Sequence, residues 1–139
     1  MASELRVNTL KDASGNNSIA TSFVAGGSAK VWCHWTETTS TAIQQSLNVS
    51  GVTDNGTGLT TVEFTSSFNY DDYAVTAGAQ GFNDGSNDNN APVMMLHRDE
   101  TNPRTTGDVD FMNASRNKTT GTGMDDATYA STAIHGDLA

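Results

Sequence analysis

The amino-acid sequence predicts an all-β fold, an antiparallel β-sandwich or jelly-roll-like domain with a short extended N-terminal segment. Three observations carry that prediction. Several short stretches place apolar side chains at every second position, the period of a strand with one face buried. Clusters of Gly, Asn and Asp separate these stretches at the spacing of strands and turns. Only 17% of the 139 residues are charged and 35% hydrophobic, and much of the remainder is Thr, Ser, Asn and Gly, which favour strands and turns over helix interiors. A chain of this length forms one core-bearing domain, and folding removes roughly two-thirds of its unfolded surface from water. The expected division is residues 1–25 as the extended N-terminal attachment segment and 26–139 as the sandwich.

At the N-terminus Leu5, Val7 and Thr9 alternate with Arg6, Asn8 and Leu10, an extended segment too small to fold alone. It is expected to pack on another chain through Leu5 and Val7. Asp12 to Ser18 is a loop by composition, Ile19 to Val24 a brief and weakly apolar strand, and Gly26-Gly27 a break. Ala29 to Trp35 is a strong strand, with Ala29, Val31, Cys33 and Trp35 on one face and Lys30, Trp32 and His34 on the other. Each face carries a Trp, and a single isolated sheet would leave one large aromatic in water, so both faces should be at least partly covered. A second sheet covers one. A neighbouring subunit is the simplest cover for Trp32, with a loop of its own chain as the competing explanation.

Ile43, Leu47 and Val49 share one parity, and Val62 and Phe64 repeat the pattern beyond Asp54-Asn55-Gly56-Thr57-Gly58, where Asn and Gly supply the positive φ of a tight reversal. This is a β-hairpin, and Leu59, out of phase with Val62 and Phe64, calls for a bulge or a longer turn. Tyr70 to Ala79 is a strand with Tyr73, Val75, Ala77 and Ala79 in phase, and Gly81 to Asn90 a loop with Phe82 at its base. Val93 to His97 is a nearly continuous apolar run, consistent with a strand buried on both faces. After a polar loop from Arg98 to Gly107, Val109, Phe111 and Asn113 alternate with Asp108, Asp110 and Met112 as a further strand. Asn117 to Asp126 reads as an exposed loop, and Tyr129 to Leu138 closes the sheet with Ala130, Thr132 and Ile134 facing one way.

The net charge of −9 and sequence pI of about 4.4 argue against nucleic acid and against an anionic membrane, which would be repelled over roughly 8 Å at physiological salt. No run of 18 apolar residues is present, and the N-terminus lacks a basic stretch followed by an apolar one, so neither membrane insertion nor export is expected. Cys33 is the single cysteine, which leaves no internal disulfide and no cysteine-based zinc site within one chain. Its setting between Val31 and Trp35 makes burial the reason for it.

Residues 4–79 carry a resemblance. Leu5-Arg6-Val7-Asn8-Thr9-Leu10-Lys11, Gly27-Ser28-Ala29-Lys30-Val31-Trp32, Ser46-Leu47-Asn48-Val49-Ser50, Thr53-Asp54-Asn55-Gly56-Thr57-Gly58 and Tyr73-Ala74-Val75, in that order, resemble a small module of tail-fibre-like proteins of marine tailed phages. The resemblance implies a virion structural protein with virion localisation, neighbours among other virion proteins, and a homotrimeric order. It does not fix the part of the particle. A capsid (head) decoration or head-fibre protein has the same composition, and a carbohydrate-binding module or a polysaccharide-degrading enzyme is the further alternative.

The residues themselves give little chemistry. His34, His97 and His135 fall in expected strands, where satisfied structural imidazoles are the default, and no Gly-X-Ser-X-Gly or His-Glu-X-X-His pattern occurs. The chain is expected not to be an enzyme and to need no cofactor. The loop at 83–90 is the one candidate cation site, since Asp84 and Asp88 with neighbouring amides offer the oxygen ligands calcium takes, although EF-hand spacing and its bidentate Glu are missing and a solvated loop has the same composition. For a host surface glycan, Phe82 offers a ring face and Asn83 and Asn87 amide partners. Trp32, with Leu5 and Val7, completes the residues expected at an oligomer interface.

Overall fold

The computed structural model describes residues 6–15, 18–38, 40–82, 91–96, 104–117 and 121–139. In chain order the elements are β1 (Thr9–Lys11), β2 (Ser18–Ala20), α1 (Thr21–Gly27), β3 (Val31–Thr36), β4 (Ala42–Leu47), β5 (Val49–Gly56), β6 (Leu59–Phe64), β7 (Ala74–Phe82), β8 (Ala91–Leu96), β9 (Asp108–Asn117), β10 (Gly121–Met124) and β11 (Ala127–His135). The fold is all-β and its strand pairs are antiparallel.

One layer of the sandwich is a four-stranded sheet in the order β4-β3-β11-β7. The other is built around β9. Its residues 108–112 pair with β6, its residues 114–117 pair with β10 on the same edge, β8 takes the opposite edge, and β5 lies outside β6. The alternation in sequence decides what goes inward. Val31, Cys33 and Trp35 of β3 and Ala130 and Ile134 of β11 meet Val62 and Phe64 of β6 and Val109 and Phe111 of β9 in one core. Trp35 and Phe111 touch across the layers with ring centroids 5.8 Å apart. At one end Phe64, Phe68 and Tyr73 close the core as an aromatic cluster, the first two in edge contact at 5.3 Å.

The β5–β6 hairpin forms about the expected reversal, and its pairing shifts between Asp54 and Gly56, the irregularity that the phase of Leu59 requires. Ile43 to Val49, however, is not one strand. The chain turns at Asn48, leaving β4 in the four-stranded layer and β5 in the other, so Ile43 and Leu47 lie on an exposed edge strand, Leu47 being 48% exposed. Asn48 takes φ of 56°, the one positive value outside glycine among the described residues, in a region that Asn enters more readily than most residues. Its side chain fixes the corner. Nδ2 donates to Ser66 O at 3.1 Å and Oδ1 accepts from Ser66 N at 2.8 Å. Period-two counting cannot see such a corner, because the parity of the two strands continues across it.

Five further expectations are corrected. Ile19 to Val24 is not a strand: β2 ends at Ala20 and α1 begins at Thr21, whose N–H donates to Asn8 O at 3.0 Å and whose hydroxyl reaches Val7 O at 3.1 Å. Gly26-Gly27 is the last part of that helix, not an element-free break. Asn117 to Asp126 is not simply a loop, because Gly121–Met124 pairs with β9 as β10. β9 extends beyond the end of β6, and its unpaired backbone groups recruit a strand whatever the composition of that strand. Tyr70 to Ala79 also shifts, the strand running from Ala74 to Phe82. In β8, Met94 and Leu96 are only partly buried against the core, since β8 is an edge strand rather than a central one.

Candidate functional site

Because strand side chains alternate, residues of the four-stranded layer that do not enter the core line its outer face. Trp32 and His34 of β3 lie there, opposite Ala133 and Ser131 of β11, which in turn lie opposite Thr76 and Gly78 of β7. Tyr129 continues the row, 41% exposed, with its ring 5.3 Å from that of His34. Trp32 is partly buried by its own chain and Leu47 stands beside it on β4.

Two depressions occupy this face. The first, about 470 Å³, sits over Ser131 and Ala133 of β11, between Trp32 and His34 of β3 on one side and Thr76 and Gly78 of β7 on the other. A side chain begun at Gly78 would meet nothing within 4 Å, so the β7 side of the hollow is open. The second, about 450 Å³, lies where Ala74 and His135 pair at the end of the sheet, walled by Tyr70, Asp72, Asp137 and Gly26 of α1. The Ala133–Thr76 pair of the first and the His135–Ala74 pair of the second are successive outward positions on the same two strands, so the depressions adjoin. Tyr70 is 70% exposed at its rim. Behind it, Gly136 is held against Tyr73 Cβ and the Phe68 ring, with a hypothetical Cβ 2.9 Å from the former, which fixes the wall from which His135 and Asp137 project.

The interior holds a different polar cluster. Glu37, just past β3, is only 4% exposed. Trp35 Nε1 donates to its Oε1 at 3.0 Å, Thr60 Oγ1 at 2.7 Å, and Asn113 Nδ2 reaches both carboxylate oxygens at 2.7 Å. Ala127 N completes the set on Oε2 at 2.9 Å, while Glu37 N donates to Ala127 O at 3.2 Å. The carboxylate thus joins both layers, and it is saturated by the protein itself, so its role is structural. Cys33 and Tyr73 are interior as well: burial pushes the thiol up to about 11, and burial, followed by the nearby Asp108 carboxylate, raises the phenol. Tyr73 donates to Asp108 O at 2.7 Å and carries the Arg104 guanidinium over its ring.

β1, β2 and α1 form a unit apart from both layers. No residue of the helix is buried, Phe23 is 74% exposed, and Val7, Leu10, Ile19 and Val24 are exposed too. Of the residues expected at an oligomer interface, Val7 therefore lies open in this unit, Trp32 lies on the outer sheet face, and Leu5 is outside the described residues. Phe82 ends β7, its side chain outside the described residues, as are Asn83, Asp84, Asn87 and Asp88 of the expected ligand loop and His97. Among the described residues no group of three or more His, Cys, Asp or Glu is placed to hold a metal. Sequence reasoning missed Tyr70, Asp72, His135 and Asp137 as a group and Glu37 as a hub. A lone charged residue directly after the apolar strand Val31–Trp35 was the available signal for Glu37. No family model, curated protein or solved structure matches the chain.

Proposed function

We propose that this chain is a tail-fibre-like structural protein of a phage particle, without catalytic activity, that attaches through its N-terminal segment, assembles as a homotrimer and contributes to host attachment. The observation that carries the reading is the N-terminal unit. Two three-residue strands and a seven-residue helix are too short to hold themselves in water, and this unit turns Phe23, Ile19 and Leu10 outward instead of into the sandwich. Elements of that kind gain stability by burying their apolar side chains on a partner, at roughly 25 cal/mol per Å² of apolar surface. The virion and the threefold order rest on the resemblance of residues 4–79 to phage tail-fibre-like proteins.

The test is the mass of the purified chain under native conditions, compared with a chain lacking residues 1–25. A trimer that reverts to a folded single copy on truncation is the expected result. A full-length chain that stays a single copy at micromolar concentration, or a truncated chain that still joins particles, overturns the attachment role. Cryo-electron microscopy of whole virions locates the protein, and density on the capsid shell replaces the tail-fibre reading with that of a head decoration or head-fibre protein.

A further inference from the structure

We propose that the two adjoining depressions on the outer face of the β4-β3-β11-β7 layer form one trough that binds an extended, neutral oligosaccharide. The proposal deepens the host-attachment reading by naming the surface and the class of ligand.

The trough has a direction and a length. Its floor runs along β11 from Ser131 to His135, four residues or ~13 Å of strand, with Tyr129 on the same face just beyond it, enough for a short run of sugar units laid end to end. Trp32 stands beside Ala133, four residues from the level of Tyr129, so the two rings are ~13 Å apart along the strand. Sugar rings present apolar C–H faces that pack on aromatic side chains, while their hydroxyls need donors and acceptors at the edges. Both are available here. Trp32 and Tyr70 supply rings within the trough and Tyr129 one beyond its far end, beside His34, and Thr76, Ser131 and the imidazoles of His34 and His135 supply edge partners. Gly78 leaves the β7 side of the trough open.

Charge selects the kind of saccharide. Asp72 and Asp137 flank one end, and the chain carries a net charge of −9. Carboxylates accept hydrogen bonds from hydroxyls but repel the carboxylates of uronic and sialic acids. A second copy of the chain is the competing occupant. The mixed row of rings, hydroxyls and imidazoles favours a hydroxylated ligand over the more uniformly apolar centre of a subunit interface.

The experiment uses the full chain, a panel of neutral hexasaccharides (β-linked glucose, α-linked glucose and mannose) and hexagalacturonate as the acidic comparison, read by calorimetry and tryptophan emission. The sheltered Trp35 leaves Trp32 to report on the trough. The expected result is binding of at least one neutral hexasaccharide with a change in emission, and no binding of hexagalacturonate. Gly78→Leu, which enters open space and should leave the fold intact, is expected to weaken binding about tenfold or more, equivalent to ~1.4 kcal/mol. Tyr129→Ala should weaken it without altering circular dichroism. Absence of binding to every neutral member at millimolar concentration overturns the proposal, as does equal binding of the acidic one. A Gly78→Leu chain that falls from trimer to single copy assigns the face to subunit contact instead. Assembly is read separately by mass, so a trimer that binds no sugar sinks this inference and leaves the attachment reading standing.

Discussion

Glu37 illustrates how one residue can tie together an interior that is otherwise apolar. An ionised carboxylate is expensive to bury unless donors replace the water it loses, and here one side chain of the four-stranded layer, two of the other and a main-chain amide converge on two oxygens. Removing it strands those donors in the dry core, where each orphaned group costs about 1–3 kcal/mol. Glu37→Ala should therefore lower the unfolding free energy by on the order of 3 kcal/mol or more, measured as a fall in urea midpoint, with Glu37→Gln close behind because its NH2 replaces an acceptor oxygen among the N–H donors of Trp35, Asn113 and Ala127. A loss below about 1 kcal/mol would mean that the donors find other partners. None of this could be read along the chain. Thr60, Asn113 and Ala127 lie 23, 76 and 90 residues away from Glu37, and only the finished sandwich brings them together. Cys33 is the opposite case, since its place between Val31 and Trp35 made burial readable from the sequence and the thiol is indeed interior.

Among the elements, those with one wet face were legible and those without an apolar signature were not. Val31 to Trp35, Val109 to Asn113 and Ala130 to Ile134 alternate cleanly and form β3, β9 and β11 with the expected faces inward. β10 shows no apolar period, because the unpaired edge of β9 rather than its own side chains holds it. α1 is a single short helix with no side-chain cap at Ala20, so it lacks the usual start signal. The corner between β4 and β5 stayed hidden because it costs only one residue, Asn48, in the left-handed region. Its test is direct. Asn48→Ala should lose both the backbone tolerance and the paired hydrogen bonds to Ser66, costing about 1–3 kcal/mol, whereas Asn48→Gly keeps the conformation and should cost about half as much. Equal losses for the two variants, in chemical denaturation, would show that φ contributes nothing there. The candidate trough was illegible for a related reason, since it is assembled from outward residues of three strands whose register no single stretch reveals.

At the scale of the whole molecule, two layers are joined by covalent chain along both long sides, through Asn48 on one and between β7 and β8 on the other, and are bridged inside by Glu37. The N-terminal unit touches the sandwich at Gly26, beside Tyr70 and His135, and through Lys30, whose Nζ reaches Ala25 O in α1 while its N–H donates to Ile134 O at 2.8 Å. Under the proposed attachment role, such a division suits a rigid body carried on a separable fastener. The bridge also ties the start of β11 to both layers. The Ala127 amide is buried and held by a carboxylate whose other donors come from β3, β6 and β9, so its release pulls Ala127 out of the core and takes a donor from that carboxylate. In deuterated solvent that proton should exchange at the rate of global opening, among the slowest in the chain, while amides of β1 and β2 exchange orders of magnitude sooner. One backbone position thus becomes a clock for the survival of the entire domain.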